Sequence, residues 1–185
     1  MLLIKRDFEK AFRHIPISPL DSPLLGFHWQ NKYYAELYLP FGLRKAPYIF
    51  NLFAETFHWI LERLLKSNGL PSVVVHYLDN FLIVVPEKHD LSQYSDIFFA
   101  RLCTELRLSL KISKNQKGNV ASFGGVKFDT RSMVIRLPAK KLQKAKLIVN
   151  AAQNVQSVSL VELQRVTGFL NFASIVIPLG KTFLR

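Results

Sequence analysis

Residues 73–85, VVVHYLDNFLIVV, constrain the fold more than any other stretch of the chain. Two apolar, largely β-branched runs flank a polar knot, Tyr77-Leu78-Asp79-Asn80. Runs of this length and composition read as strands, and a polar break between them reads as a tight turn. The stretch is therefore a hairpin with a carboxylate, Asp79, held at its tip. The question it raises is what an acid does there, and why Asn80 follows it instead of a second acid.

The rest of the chain supplies the elements such a hairpin needs. The opening MLLIKRDF reads as a strand ending at Asp7. The segment that follows carries Pro16, Pro19 and Pro23, which forbid a long regular element. FHWQNKYYAELYL, residues 27–39, reads as a second hairpin turning at Gln30-Asn31-Lys32. LPFGLRKAP is a loop bounded by proline and glycine, after which positions 49, 50, 53, 57, 60, 61, 64 and 65 form one apolar helical face. Pro47 opens that helix and Asn68-Gly69 closes it. Pro86 ends the quoted hairpin, and residues 90–108 form a second amphipathic helix with Asp90 as its N-cap. A basic loop, KISKNQKGN, leads to VASFGGVKFD and MVIRL, another hairpin. From Pro138 the pattern is helical, in PAKKLQKAKLIVNAAQ and then SLVELQRVTGFLNFASIVI. The order of these elements predicts an α+β fold: an antiparallel sheet with helices on one face, then a helical extension.

The charge balance indicates a partner. Lysine and arginine outnumber aspartate and glutamate by 25 to 13, a formal charge of +12, while 49% of residues are apolar and can build a core. Such a balance favours a polyanion such as nucleic acid, or else is a solvated basic surface. The single cysteine, Cys103, falls in an apolar helical stretch and reads as a buried thiol. The five histidines, 14, 28, 58, 76 and 89, show no metal-ligand spacing, so no zinc site is expected. No apolar run reaches the ~18–20 residues of a membrane span, and the first residues do not form a signal peptide. An intracellular setting, cytoplasm or nucleus, is the expectation.

Asp7 ends a strand and Asp79 occupies a tight turn. Both are rigid mounts, and two carboxylates converging from them suit a hard divalent cation such as Mg²⁺. Taken singly, either acid reads as an ordinary turn or capping residue.

Four stretches in order, KRDFEKAFRHIPI, LPFGLRKAPYIFN, YLDN and SFGGVKFD, resemble the successive palm motifs of reverse transcriptases. With the tail DTRSMVIRLPAKKLQ…LVELQRVTGFLNFASIVIPLGKTFLR, the chain most resembles retrotransposons of the DIRS type, which carry a tyrosine recombinase. The resemblance covers nearly the whole chain. It implies a polymerase palm over residues 1–137 and a thumb-like or connection-like helical segment over 138–185. The implied reaction is templated addition of deoxynucleotides to a primer 3′-end on an RNA or DNA template–primer duplex. Two Mg²⁺ ions, or Mn²⁺ in their place, assist it.

Carried onto this chain, the resemblance makes Asp7 and Asp79 the catalytic metal ligands, with the backbone carbonyl of Phe8 as a further ligand. Phe12 matches the aromatic gate that excludes a 2′-hydroxyl, and from sequence it reads equally as a core phenylalanine. Phe41 and Gly42 match the nucleotide pocket, and Tyr77 the aromatic of the Tyr-x-Asp-Asp turn. Lys114 matches the lysine that protonates departing pyrophosphate. Arg44 and Lys45 meet phosphate or are simply solvated. Lys140, Lys141, Lys144 and Lys146 match cations facing the phosphates of a bound duplex. LQRVTGFLNFASIVI is expected to be the packed core of the extension.

The chain departs from the family pattern at three places. Asn80 replaces the second aspartate and removes one negative charge. Gly124-Gly125 stands where the family has Leu-Gly in the primer grip, and two glycines are expected to loosen that hairpin. The sequence begins almost at Asp7, with no fingers segment before it and no ribonuclease H after Arg185, as in a truncated or degenerate copy. Whether the chain is an enzyme is therefore left open, the alternative being a catalytically inactive nucleic-acid-binding remnant.

Overall fold

The computed structural model describes residues 1–87, 91–153, 157–177 and 180–184. His89 and the expected N-cap Asp90 lie outside the described residues. The chain forms two compact units, Met1–Gly118 and Asn119–Arg185. This division by compactness is distinct from the functional boundary at 137/138 that the family resemblance implies.

The first unit is built on a four-stranded antiparallel sheet. Its elements are β1 (Leu2–Asp7), a peripheral hairpin β2 (Gly26–Trp29) and β3 (Lys32–Ala35), α1 (Ala46–Ser67), β4 (Val73–Tyr77), β5 (Asn80–Val85), α2 (Leu91–Glu105) and β6 (Gln116–Gly118). The sheet order is β4-β5-β1-β6, which puts β1 and β5 at the centre. Strand residues alternate between faces. Ile4, Phe81, Ile83, Val85 and Val74 face α1 and α2, together with Phe8 just beyond β1. Leu3, Lys5 and Asp7 lie on the opposite face. The fold is thus α+β with helices on one face, as the element order predicts.

α1 forms because Ala46, Phe50, Ala54, Phe57, Leu61 and Leu65 recur at helical spacing and are all buried. Pro47 lies in its first turn, where its missing N–H costs nothing. Gly69, at φ 68°, then reverses the chain beyond Asn68. Beneath α1, Phe8 packs against Phe57 and Phe81 at 5.2 Å each, with Phe99 at 6.2 Å and Phe50 at 6.5 Å. Aromatic pairs of this kind add about 0.5–1.5 kcal/mol each beyond simple burial. Arg6 reaches the same side and donates from Nε to Asp96 Oδ1 of α2 at 2.9 Å, with a second bond from Nη2 to the same oxygen. Cys103 is buried, and burial pushes its thiol up to about 12, which makes it an inert core residue.

The β2–β3 hairpin is shorter than residues 27–39. Its turn is Gln30-Asn31, both with positive φ, the requirement of a type I′ turn. Past Ala35 the Glu36 N–H still donates to the Leu25 carbonyl at 3.3 Å, while its carboxylate accepts from both Nη1 and Nη2 of Arg13. The Glu36 backbone carbonyl also accepts from Ser22 Oγ at 2.9 Å.

The second unit contains the antiparallel sheet β7 (Val120–Phe123), β8 (Val126–Asp129) and β9 (Val134–Arg136), followed by α3 (Ala139–Gln153) and α4 (Leu160–Ala173). Ser159 and Glu162 close a reciprocal capping box at the start of α4. Two expectations are corrected here. Gly124-Gly125 does not loosen its hairpin: the two form the β7–β8 turn at φ 58° and 83°, and a two-residue turn with both φ positive suits glycine best. Nor do the helices enclose a packed core. Among the described residues α3 buries none and α4 only Ala173, while Leu160, Val161 and Leu163 are exposed.

Candidate active site

The register of the central sheet assembles the site. Asp7 pairs with Asn80, which pairs in turn with Tyr77. These three residues form one row across β1, β5 and β4, on the face away from the helices. Leu78 and Asp79 are the two residues of the β4–β5 turn, and Leu78 has φ 51°. Positive φ is strained for a bulky side chain, and it is held because the sheet on both sides and the packing of Leu78 against the core determine it. The Phe8 N–H donates to the Asp79 carbonyl at 3.0 Å, which ties the turn to the end of β1.

Asp7 is only 1% exposed, yet it carries cations on its carboxylate. Lys114 Nζ lies 3.2 Å from each of its oxygens, and Lys5 Nζ lies 4.0 Å from Oδ2. The Lys111 N–H donates to the Asp7 carbonyl at 2.8 Å and anchors the loop that delivers Lys114. Asp79 is half-buried. Burial, and then the charge of Asp7, hold its carboxyl above the usual range; Lys114 and the Asn80 amide, which donates to Asp79 Oδ1 at 3.1 Å, oppose the rise. A half-buried carboxylate beside a second carboxylate favours a cation at the site. The donor set is all oxygen, on rigid mounts, which fits Mg²⁺ or Mn²⁺.

The structure therefore brings Asp7, Asp79, Lys114, Tyr77 and the backbone of Phe8 to one end of the central strands. The Phe8 ring itself is buried in the aromatic core. Phe12 and Phe41 form a second group with ring centroids 4.9 Å apart, and Phe12 also lies 5.5 Å from Phe50. Phe12 is half-buried, at the rim of the core and not inside it, while Phe41 is 64% exposed. Gly42 has φ 92° and open space where a Cβ would stand. Arg44 and Lys45 are exposed just before α1.

Lys140, Lys141, Lys144 and Lys146 belong to the second unit. There Lys141 Nζ sits 4.1 Å from the Phe172 ring centroid and Lys144 Nζ 5.5 Å from that of Phe169, both cation–π contacts. Lys140 and Lys146 are exposed.

Two features were missed from sequence. Lys5 is a buried cation beside Asp7; its signal was the i, i+2 alternation that puts Leu3, Lys5 and Asp7 on one face. The second is a correction. His58 and His76 show no ligand spacing along the chain, yet their Nδ1 atoms are 2.8 Å apart in the fold, and Glu55 lies beside them.

A four-stranded antiparallel sheet backed by two helices on one face, with paired acids at a strand end and a hairpin tip on the other, is a polymerase-palm-like fold. A family profile described as reverse transcriptase (RNA-dependent DNA polymerase) matches residues 1–152. The chain belongs to the reverse transcriptase family. Solved structures show the same fold. A foamy viral protease-reverse transcriptase in complex with an RNA/DNA hybrid aligns with TM-score 0.68 and 20% identity, covering 99% of this chain and 24% of that one. The same type of protein in complex with double-stranded DNA aligns with TM-score 0.67 and 21% identity, covering 93% and 27%. The chain thus spans about a quarter of the length of these structures. No curated protein shows significant sequence similarity to it. Among the described residues, no helix is long and apolar enough to cross a membrane.

Proposed function

We propose that this reverse transcriptase domain is the palm (residues 1–137) and a thumb-like segment (138–185) of a retroelement polymerase of the DIRS type. Inside the cell, in cytoplasm or nucleus, it adds deoxynucleotides to a primer 3′-end on an RNA or DNA template. The observation that carries this reading is the convergence of Asp7 and Asp79, from a strand end and a hairpin tip, on Lys114. Asp7 and Asp79, with the Phe8 carbonyl, would hold two Mg²⁺ or Mn²⁺ ions, which when bound activate the primer hydroxyl and offset charge on the leaving pyrophosphate.

The chain's own groups do the rest. Lys114 keeps a proton poised against Asp7 and gives it to the departing pyrophosphate, general-acid help worth about 10²–10⁴-fold. Phe12, backed by Phe41, stacks under the sugar and excludes a 2′-hydroxyl by volume. Gly42 lets the backbone approach the incoming nucleotide closely, and Tyr77 flanks it on the row shared with Asn80 and Asp7. Arg44, Lys45, Lys140, Lys141 and Lys144 contact phosphates without regard to sequence, so binding weakens steeply with salt.

A second reading, an inactive nucleic-acid-binding remnant, is favoured by Asn80, which leaves the site one charge short of the family pattern. Primer extension on an RNA template with Mg²⁺ or Mn²⁺ separates the two. Extension that disappears in Asp79→Ala supports the polymerase. Template–primer binding without extension, in both the wild-type chain and Asn80→Asp, supports the remnant.

A further inference from the structure

The helix-covered side of the sheet carries a second cluster of ligating side chains, unrelated to the paired acids. Along α1, Glu55, His58 and Glu62 follow at i, i+3 and i+7 and share one face. His76 lies on the edge strand β4, where it alternates with Val74 toward α1. One nitrogen from each imidazole and one Glu55 carboxylate oxygen all lie within 4.8 Å of one another. The His76 side chain is only 5% exposed, and it stacks on Phe81 at 5.1 Å. The outer nitrogens have carboxylate partners: His58 Nε2 lies 3.3 Å from Glu62 Oε1, and His76 Nε2 lies 3.7 Å from Glu55 Oε1.

We propose that Glu55, His58 and His76 form a transition-metal site that takes Zn²⁺, with Glu62 orienting the His58 ring from behind. Two imidazoles and one carboxylate are a donor set that zinc accepts with one position left open, and nitrogen ligands select it over Mg²⁺. Bond lengths of about 2.0–2.1 Å place tetrahedral ligand atoms about 3.3 Å apart. The two Nδ1 atoms at 2.8 Å need to part only slightly. Glu55, whose side chain is 61% exposed, closes the remaining gap by swinging inward from its long contacts with His76 Nε2 at 3.7 Å and Asn51 Nδ2 at 3.5 Å. A carboxylate behind a ligating histidine fixes its ring and tautomer, the role Glu62 is placed to fill. The bound ion links α1 to β4 three residues before Asp79, on the opposite face of the sheet from the acids. It is independent of whether the chain polymerises.

The test uses the full chain without a histidine tag, stripped with chelator and titrated with Co²⁺ in millimolar Mg²⁺. The site predicts one equivalent of Co²⁺ with the intense visible absorption of four-coordinate cobalt, displaced by Zn²⁺, and a Zn²⁺-dependent rise in Tm. His58→Gln and His76→Gln should each abolish the band. Glu62→Gln should weaken Co²⁺ binding about 10–100-fold, the usual cost of losing an orienting carboxylate. Asp79→Asn should leave the titration unchanged. No cobalt band in the wild-type chain, or a band that survives in a folded His58→Gln protein, overturns the site and leaves a hydrogen-bonded histidine pair.

Discussion

Three of the hairpins turn in two residues, and two of them, β4–β5 and β7–β8, are built in opposite ways. Gly124-Gly125 joins β7 and β8 with both residues at positive φ, and glycine adopts that conformation without strain. Leu78-Asp79 joins β4 and β5 with Leu78 at φ 51°, a conformation that costs an L-residue roughly 1–2 kcal/mol. The relaxed turn carries no chemistry-bearing side chain; the strained one presents Asp79 beside Asp7. Strain persists where the surroundings over-determine it, and here the central strands of the sheet and the burial of Leu78 do so. Of these two turns, the costly one is the one placed to act.

The largest effect expected is at Asp79 itself. Asp79→Asn should lower primer extension by at least about 10²–10³-fold, the scale of removing one preorganised charge-stabilising group. The same change should stabilise the fold at neutral pH in chelator. Burial and Asp7 raise the Asp79 carboxyl, so its favourable contribution is present below the ordinary carboxylate range and is lost as pH rises through the native value. The amide never ionises and escapes that loss. Urea denaturation of both proteins between pH 3 and pH 7 checks this: the gap between them should widen with pH, and a constant gap would contradict it.

At the relaxed turn the order of effects reverses. Gly125→Ala should cost about 1–3 kcal/mol of stability, because φ there is 83° and a Cβ would meet Lys141 Nζ at 2.3 Å and Phe172 Cζ at 3.0 Å. The Lys141 end is flexible; the Phe172 ring is less so. Chemical denaturation measures the loss, and a neutral result would mean that the turn does not press on the helices.

Asn80→Asp changes the first residue of β5, directly after the strained turn. It replaces the amide that donates to Asp79 with a third acid, so half-saturation by Mg²⁺ in primer extension should fall, within about tenfold, since one charge in a partly solvated site is worth on the order of 1 kcal/mol. Leu78→Gly should be the mildest for stability. Relief of φ strain and lost packing of a half-buried leucine are both about 1–2 kcal/mol and opposite in sign, leaving a net change within about 1 kcal/mol. Extension should nevertheless drop, because glycine frees the backbone that aims Asp79. Unchanged extension would show that the strain has no functional use.

Much of this was legible in the chain. The apolar run at 73–85 gave a hairpin whose turn falls at Leu78-Asp79, and the helical face from Phe50 to Leu65 gave α1, because both depend on a local period that one strand or one helix reveals by itself. The four ordered motifs pointed to the family that the profile match shows. Less visible were outcomes that depend on distant partners. Strand pairing stops at Ala35, where the Glu36 carbonyl accepts from Ser22 Oγ instead of the facing strand. Leu142, Leu147, Leu160 and Leu163 on the helices of the second unit are exposed, which their helical spacing does not reveal. Gly-Gly is the best choice, not a flaw, once both φ values are seen to be positive.

The sequence by itself determined the elements, the α+β class and which acids sit at the ends of rigid mounts, since periodicity and turn chemistry are local properties. Only the tertiary structure decided what those acids meet. The β1–β5 register sets Asp7 beside Asn80, a loop more than a hundred residues along delivers Lys114, and β4 packing on α1 brings His76 to His58 across 18 positions. Long-range pairing fixes these contacts, and no local pattern encodes it.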